Sequence, residues 1–268
     1  MKVDVKAKKS LGQNFLVDNN IIDKIVKIGN IKKNNNILEI GPGLGSLTKE
    51  IAAMEPNKIF AVEKDKRLAS LLKKNLYSFK NIEIIENDIL KLLKKNTFGK
   101  NIIIFGNLPY NISIKVLTTL ILLDNWPPWF DSLIFMFQKE VADRIISQNK
   151  SKNFGRLSVL CNWRLEVKKH FDISKNCFFP KPKVNSTLLS FVPKKQNIYK
   201  INNPTSLENI TKILFSNRRK MINKSFAKLF KNSKKVSEDL NLNLNLRPEE
   251  LTNEMFYKIT MKYEQLTN

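Results

Sequence analysis

Four apolar residues, Ile102 to Phe105, run into Gly106-Asn107-Leu108-Pro109-Tyr110. A short continuous apolar run of this kind is what a buried parallel strand shows. In an open α/β sheet, chemistry collects just beyond the carboxyl ends of the strands. A side-chain amide, a proline-fixed turn and an aromatic ring placed there would suit a pocket for a planar substrate. A strand followed by a plain turn would read the same from this stretch alone.

A second stretch, Asn36-Ile37-Leu38-Glu39-Ile40-Gly41-Pro42-Gly43-Leu44-Gly45-Ser46, is a strand followed by a glycine-rich turn into a helix. Backbone N–H groups at such a turn suit a nucleotide-like ligand. A further strand, Lys58 to Val62, ends in Glu63, about twenty residues on, where an acid can bond a pair of ribose hydroxyls. The loop departs from the G-x-G-x-x-G dinucleotide fingerprint, and a P-loop would need a closing Gly-Lys-Ser/Thr. With Glu39 ahead of it, the pattern E-x-G-x-G-x-G belongs with S-adenosylmethionine rather than NAD. A third strand, Ile82 to Glu86, closes on Asn87-Asp88, and Asp88 either meets the adenine amine of such a cofactor or caps a turn. Ahead of these, Lys8 and Lys9 suit phosphate contact, and Asp18 caps a helix carrying Ile21, Ile22, Ile25 and Val26. Gln13-Asn14-Phe15-Leu16 reads as a lead-in with one buried aromatic.

The elements that must position these residues fit a chain of 268 residues with 42% hydrophobic content, ample for one sizeable α/β domain and a small appendix. Strands are expected near 133–137, 164–173 and 186–192, with helices over 114–123 and 138–148. Cys177-Phe178-Phe179-Pro180-Lys181-Pro182-Lys183-Val184 forms a stiff loop joining two antiparallel strands. Its two rings are either buried beneath it or offered to an unstacked base. Beyond Pro193 strand signals stop. Between Glu208 and Glu238 there is no acid but nine basic residues, among them Arg218, Arg219, Lys220, Lys224 and Lys228, interleaved with apolar ones. One face can pack while the other presents cations to a phosphate backbone.

The whole chain carries 47 basic against 24 acidic residues, net +23, which favours a polyanionic partner, nucleic acid first. One histidine, His170, cannot build a multi-histidine metal site, so no metal is expected, and it reads as a solvated strand position. Cys161 and Cys177 lack metal or redox spacing, which fits a reducing compartment. No apolar stretch reaches the roughly 20 residues of a membrane span, nor is there a signal peptide, so the expected location is cytoplasmic.

SLGQNFL (10–16), LEIGPGLGSLT (38–48), GNLPYNIS (106–113), FFPKPKV (178–184), FSNRRKMINKSFAKLF (215–230) and RPEEL (247–251) together resemble the S-adenosylmethionine-dependent ribosomal RNA adenine dimethyltransferases of the KsgA type. The resemblance implies an α/β class I methyltransferase fold, Rossmann-like, with a seven-stranded, mostly parallel sheet and one antiparallel edge strand. Residues 1–193 would form the catalytic domain and residues 194–268 a small helical, basic RNA-binding domain. It further implies that Asn14, Leu16, Gly41, Glu63, Asp88 and Asn107 hold S-adenosylmethionine. Asn107 and the Leu108 carbonyl would orient the target amine, Pro109 would shape the turn, and Tyr110 and Phe178 (or Phe179) would sandwich the base. The implied partner is 16S rRNA in the small ribosomal subunit or its precursor, met by a monomer that dimethylates two adjacent adenines. An Erm-type enzyme of large-subunit RNA and a non-catalytic assembly factor are the rivals.

Overall fold

The apolar runs become the strands of a twisted sheet in a computed structural model that describes residues 7–8, 11–95, 97–196 and 198–267. Lys9 and Ser10, read above as parts of a phosphate contact and a motif, lie outside the described residues. In chain order the elements are β1 (Phe15–Leu16), α1 (Asn19–Ile28), β2 (Asn36–Ile40), α2 (Ser46–Ala53), β3 (Lys58–Glu63), α3 (Lys66–Asn75), β4 (Ile82–Glu86), α4 (Ile89–Leu92), β5 (Ile102–Gly106) and α5 (Tyr110–Ile121). Then follow β6 (Phe130–Gln138), α6 (Lys139–Ile145), α7 (Arg156–Arg164), β7 (Leu165–Ile173), β8 (Phe178–Phe179), β9 (Ser186–Pro193), α8 (Pro204–Leu214), α9 (Asn223–Ala227), α10 (Ser233–Asp239) and α11 (Asn253–Thr267).

The large sheet has the order β4-β3-β2-β5-β6-β9-β7. From β4 to β6 all pairs are parallel. Every residue of β5 is buried, as its unbroken apolar run demands, whereas β4, at the edge, has no fully buried residue. The chain builds β2, β3 and β4 outward in one direction, then returns to lay β5 on the other side of β2. That reversal puts a crevice at the carboxyl ends of β2 and β5, where Ile40 pairs with Gly106.

The antiparallel strand is not at the edge. β9 pairs antiparallel with β6, from Leu133 with Phe191 to Gln138 with Ser186, and β7 takes the outer place. Thr187 donates to Asp172 at 2.7 Å and Ser190 shares a 2.8 Å hydrogen bond with His170, so β7 and β9 also run in opposite senses. His170, expected as a solvated position, is thus half-buried and bonded across the sheet.

The expected helix ends hold locally. The Asp18 carboxylate accepts from Ile21 N at 3.1 Å, the cap foreseen for α1. By contrast α5 starts at Tyr110 rather than near Ile114, because the Pro109 carbonyl accepts from Ile112 N and Ser113 N and opens the first turn four residues early.

Internal packing divides the chain into two units: Met1–Leu120, Pro128–Ala142 and Lys168–Pro193; and Ile121–Pro127, Asp143–Val167 and Lys194–Asn268. One boundary after Pro193 therefore misassigns Ile121–Pro127 and Asp143–Val167. These segments are built into the helical unit. Buried Arg164 donates to the carbonyls of Ile121 (2.8 Å) and Leu123 (2.6 Å), and its guanidinium lies 3.9 Å from the Trp163 ring. The Tyr257 hydroxyl donates to Val159 O at 3.0 Å, fastening α11 to α7. Phe215 and Phe256 stack with centroids 5.2 Å apart, and Phe154 meets both rings. Among the described residues no helix is long and apolar enough to cross a membrane.

Candidate active site

The crevice of the first unit is lined by residues 11–16, 39–44, 62–64, 87–89 and 107–112. It therefore gathers Asn14, Leu16, Gly41, Glu63, Asp88, Asn107, Leu108, Pro109 and Tyr110 from five separate places in the chain. β3, β4 and β5 each end at or just before one of the polar residues, so the sheet register sets their spacing.

The glycine loop takes left-handed backbone at Gly41, Gly43 and Gly45, with φ of 70°, 60° and 81°. At Gly41 an added Cβ would meet nothing nearer than the Asn107 carbonyl oxygen, 4.0 Å away, so this position opens onto the crevice. At Gly43 it would come within 2.9 Å of the Phe15 ring. Gly43→Ala thus meets two costs, about 1–2 kcal/mol for the backbone and the displacement of a buried aromatic ring. We expect a lower melting temperature together with weaker cofactor binding; a variant that melts and titrates like the parent would contradict this account of the loop.

Glu63 holds the loop to β3. Its Oε2 accepts from Gly43 N at 3.2 Å and its Oε1 from Asp65 N at 2.8 Å. Burial raises its pKa above the usual carboxylate range, opposed by those same backbone donors. Asp65, its side chain 1% exposed, accepts from Arg67 at 2.7 Å and from Gln13 Nε2 at 3.1 Å, with Lys8 Nζ at 3.5 Å. The Arg67 guanidinium above all holds the Asp65 carboxyl far below its ordinary range. Through Gln13, this buried carboxylate fastens the N-terminal segment beside the crevice.

Asp88 caps a turn, as one of its sequence readings has it, and also lines the crevice. Its Oδ1 caps α4 by accepting from Leu90 N at 3.0 Å, and its Oδ2 takes Lys64 Nζ at 2.8 Å while the residue lines the crevice. Lys64, first among its neighbours, lowers its pKa. It stays ionised.

Asn107 donates from Nδ2 to the Asn14 carbonyl at 3.0 Å. That bond fixes which way the amide faces and leaves Oδ1 as an acceptor. The Leu108 side chain is buried, packed over Gly106, and the Leu108 carbonyl accepts no backbone hydrogen bond among the described residues. Among the described residues, neither Asn107 Oδ1 nor the Leu108 carbonyl has a hydrogen-bond partner at the end of β5. The Tyr110 hydroxyl shares a 2.8 Å hydrogen bond with Ser186, the first residue of β9, which pins its ring.

Phe178 is not brought to this place. The loop forms β8, which pairs antiparallel with β1, Leu16 opposite Phe178 and Phe15 opposite Phe179. Alternation turns Phe178 inward, 4% exposed and packed in the core with Leu16, and leaves Phe179 51% exposed. In the second unit, Arg218 is likewise engaged: its guanidinium meets Glu249 at 2.7 Å and the Ser151 carbonyl at 3.4 Å. Arg219, Lys220, Lys224 and Lys228 are exposed.

Four contributors were not singled out from the sequence as site residues. Gln13, Asp65 and Ser186 act only through contacts between distant parts of the chain, for which no local signal exists. Glu39 lay inside the glycine motif. Its carboxyl is 2% exposed, lines the crevice, and is pushed up to about 7 chiefly by burial. Among the described residues its Oε2 has no hydrogen-bond partner of ordinary geometry, although the Thr48 side chain is near enough to oppose the rise. A buried acceptor lining a pocket has room for a donor from a ligand. An ammonium group such as that of a methionine moiety meets the need, so the residues fit S-adenosylmethionine.

A doubly wound sheet with this switch point, a glycine loop and an acid at the end of the next strand define a class I methyltransferase. Comparison with known proteins narrows the class. The family model described as Ribosomal RNA adenine dimethylase matches residues 4–265. A Ribosomal RNA small subunit methyltransferase A from Pelagibacter ubique is 50% identical over 262 residues, covering 98% of each chain. One from Wolbachia sp. subsp. Drosophila simulans is 38% identical over 266 residues, 98% of this chain and 95% of its own. A dimethyladenosine transferase from Plasmodium falciparum superposes with a TM-score of 0.80 at 27% identity, covering 94% of this chain and 98% of that one. The 23S rRNA methyltransferase ErmE shares the fold, with a TM-score of 0.67 at 20% identity, covering 94% of this chain and 100% of its own. The chain belongs to the ribosomal RNA adenine dimethylase family.

Proposed function

We propose that this protein transfers methyl groups from S-adenosylmethionine to the N6 amines of two adjacent adenines in a 3′-terminal hairpin of 16S rRNA, acting as a monomer on the small subunit or its precursor. The observation that carries the chemistry is the Asn107 amide, tied through Nδ2 to the Asn14 carbonyl at 3.0 Å, with Asn107 and Leu108 both lining the crevice at the end of β5.

When bound, the cofactor supplies an electrophilic methyl group on its sulfonium. Glu63 would hold the ribose hydroxyls, Asp88 the adenine amine, and Glu39 the ammonium, with Asn14, Leu16 and Gly41 enclosing the remainder. The exocyclic amine of adenine is a weak nucleophile because its lone pair is delocalised into the ring. Asn107 Oδ1 and the Leu108 carbonyl would each accept a hydrogen bond from one of its N–H groups, which favours a pyramidal nitrogen with its lone pair directed at the methyl. Preorganised dipoles and positioning can supply much of the acceleration. Nitrogen becomes acidic as it gains positive charge, so its excess proton would pass to water and no strong general base is required. Tyr110, pinned by Ser186, would stack on the extruded base, and Pro109 would set the turn between Leu108 and that ring. Phe178 would serve by packing against Leu16 and holding the N-terminal segment.

Arg219, Lys220, Lys224 and Lys228 would contact phosphates of the RNA, with Arg218 fixing the backbone that presents them. Replacing both Lys224 and Lys228 by Gln should weaken RNA binding and flatten the dependence of log affinity on log salt by about two. An unchanged slope would remove these two residues from the interface. The function itself is tested by incubating labelled cofactor with small subunits lacking the modification and mapping the label. Label in the small-subunit RNA is expected. Label confined to large-subunit RNA would select the Erm-type activity, and no label would favour an assembly factor.

A further inference from the structure

We propose that Phe179 stacks on the nucleotide adjoining the target adenine, with Lys181 and Lys183 on the neighbouring phosphates; this rests on the RNA methylation proposed above. Phe179 stands directly opposite Phe15 in the β1–β8 ribbon, and Phe15 lines the crevice and lies against Gly43. Opposed residues of an antiparallel pair share one face, with Cα atoms about 4.5–5.5 Å apart. The exposed ring is therefore at the rim of the active site and not at a remote point of the surface.

The loop that carries it is held at both ends. Val17 N donates to Cys177 O at 2.9 Å just before β8. After the loop, Lys139 N donates to Asn185 O at 3.0 Å, and Ser186 bonds the Tyr110 hydroxyl. Phe179, Lys181 and Lys183 are exposed between these anchors, and neither lysine has an ion-pair partner among the described residues. From Ile173 to Leu207 the chain contains no acid. An aromatic face on a fixed ribbon, with two exposed lysines in the same loop, complements a base and its phosphates; single-stranded RNA is bound by this combination. A base extruded into the crevice leaves its neighbour unstacked, and the rim ring offers that neighbour a replacement surface.

The test compares Phe179→Ala, Phe179→Leu and Phe179→Trp with the parent in methyl transfer to small subunits lacking the modification, with cofactor titration and melting as controls. Alanine and leucine should each raise KM for the subunit roughly 10-fold or more, as loss of one stacked base does. Tryptophan should keep it near the parent value, and cofactor affinity and melting should not move. Parent-like KM in the alanine variant overturns the proposal, and so does full function with leucine, which has bulk but no π face. A parent protein that methylates no small subunit instead brings down the underlying function, an outcome distinguishable because it does not depend on the variant.

Discussion

Asn107→Ala is expected to lower the single-turnover rate of methyl transfer by at least about 10²–10³-fold, the range seen when one preorganised polar contact to a reacting group is removed. The variant loses Oδ1, and with it one of the two acceptors proposed for the target amine. It also frees the Asn14 carbonyl, because the 3.0 Å bond from Nδ2 is gone. A neutral hydrogen bond contributes about 0.5–1.5 kcal/mol, so cofactor affinity should fall only about 2- to 10-fold. Rate and affinity thus separate. Asn107→Asp sharpens the comparison: it keeps an acceptor but replaces the donor with an oxygen facing the Asn14 carbonyl oxygen, so the side chain must turn away. Its rate should lie between those of alanine and the parent. Stopped single-turnover assays with saturating cofactor measure the rate, and calorimetric titration the affinity. An alanine variant with parental turnover would remove Asn107 from the chemistry.

Glu63→Ala should act on the other quantity. Glu63 is 7% exposed, and its two oxygens take the Gly43 and Asp65 N–H groups. Without the carboxylate both donors are left unpaired in a buried place, at about 1–3 kcal/mol each. The ribose hydroxyls would also lose their acceptor. Cofactor affinity should fall by about 10²-fold, equivalent to roughly 2.7 kcal/mol, and the melting temperature should drop even without cofactor. Glu63→Gln is the instructive partner, since its amide can satisfy one of the two backbone donors but sets an NH₂ against the other. It should be weaker than the parent in both measurements. Undiminished cofactor affinity in the alanine variant would contradict the role given to Glu63.

These effects turn on residues of different legibility. β2, β3 and β5 could be read from the sequence because a short apolar run closed by a polar or glycine turn fits a buried strand and little else. Glu63 and Asn107 were located by their places at strand ends. β1 and β8 are two residues each and carry no period. Their pairing joins segments far apart in the chain, and the register decides which of Phe178 and Phe179 faces inward. Chemical type cannot separate two adjacent phenylalanines. The same limit applies to Arg218, drawn from the cationic face by Glu249, 31 residues away. It applies as well to Asp143–Val167, grouped with the helical unit through partners such as Tyr257. Local pattern reveals which surfaces must be buried. Long-range contacts choose among the residues able to do it.

The two acceptors proposed at the end of β5, Asn107 Oδ1 and the Leu108 carbonyl, would suit the exocyclic amine of adenine better than a ring nitrogen or a ribose hydroxyl. Digesting the labelled small-subunit RNA to nucleosides and identifying the product by chromatography and mass tests that claim most directly. The expected product is N6,N6-dimethyladenosine, preceded at short times by the monomethyl form and formed at least about 10²-fold more slowly with Asn107→Ala. Label on a ribose oxygen, on adenine N1, or on any base other than adenine would contradict it.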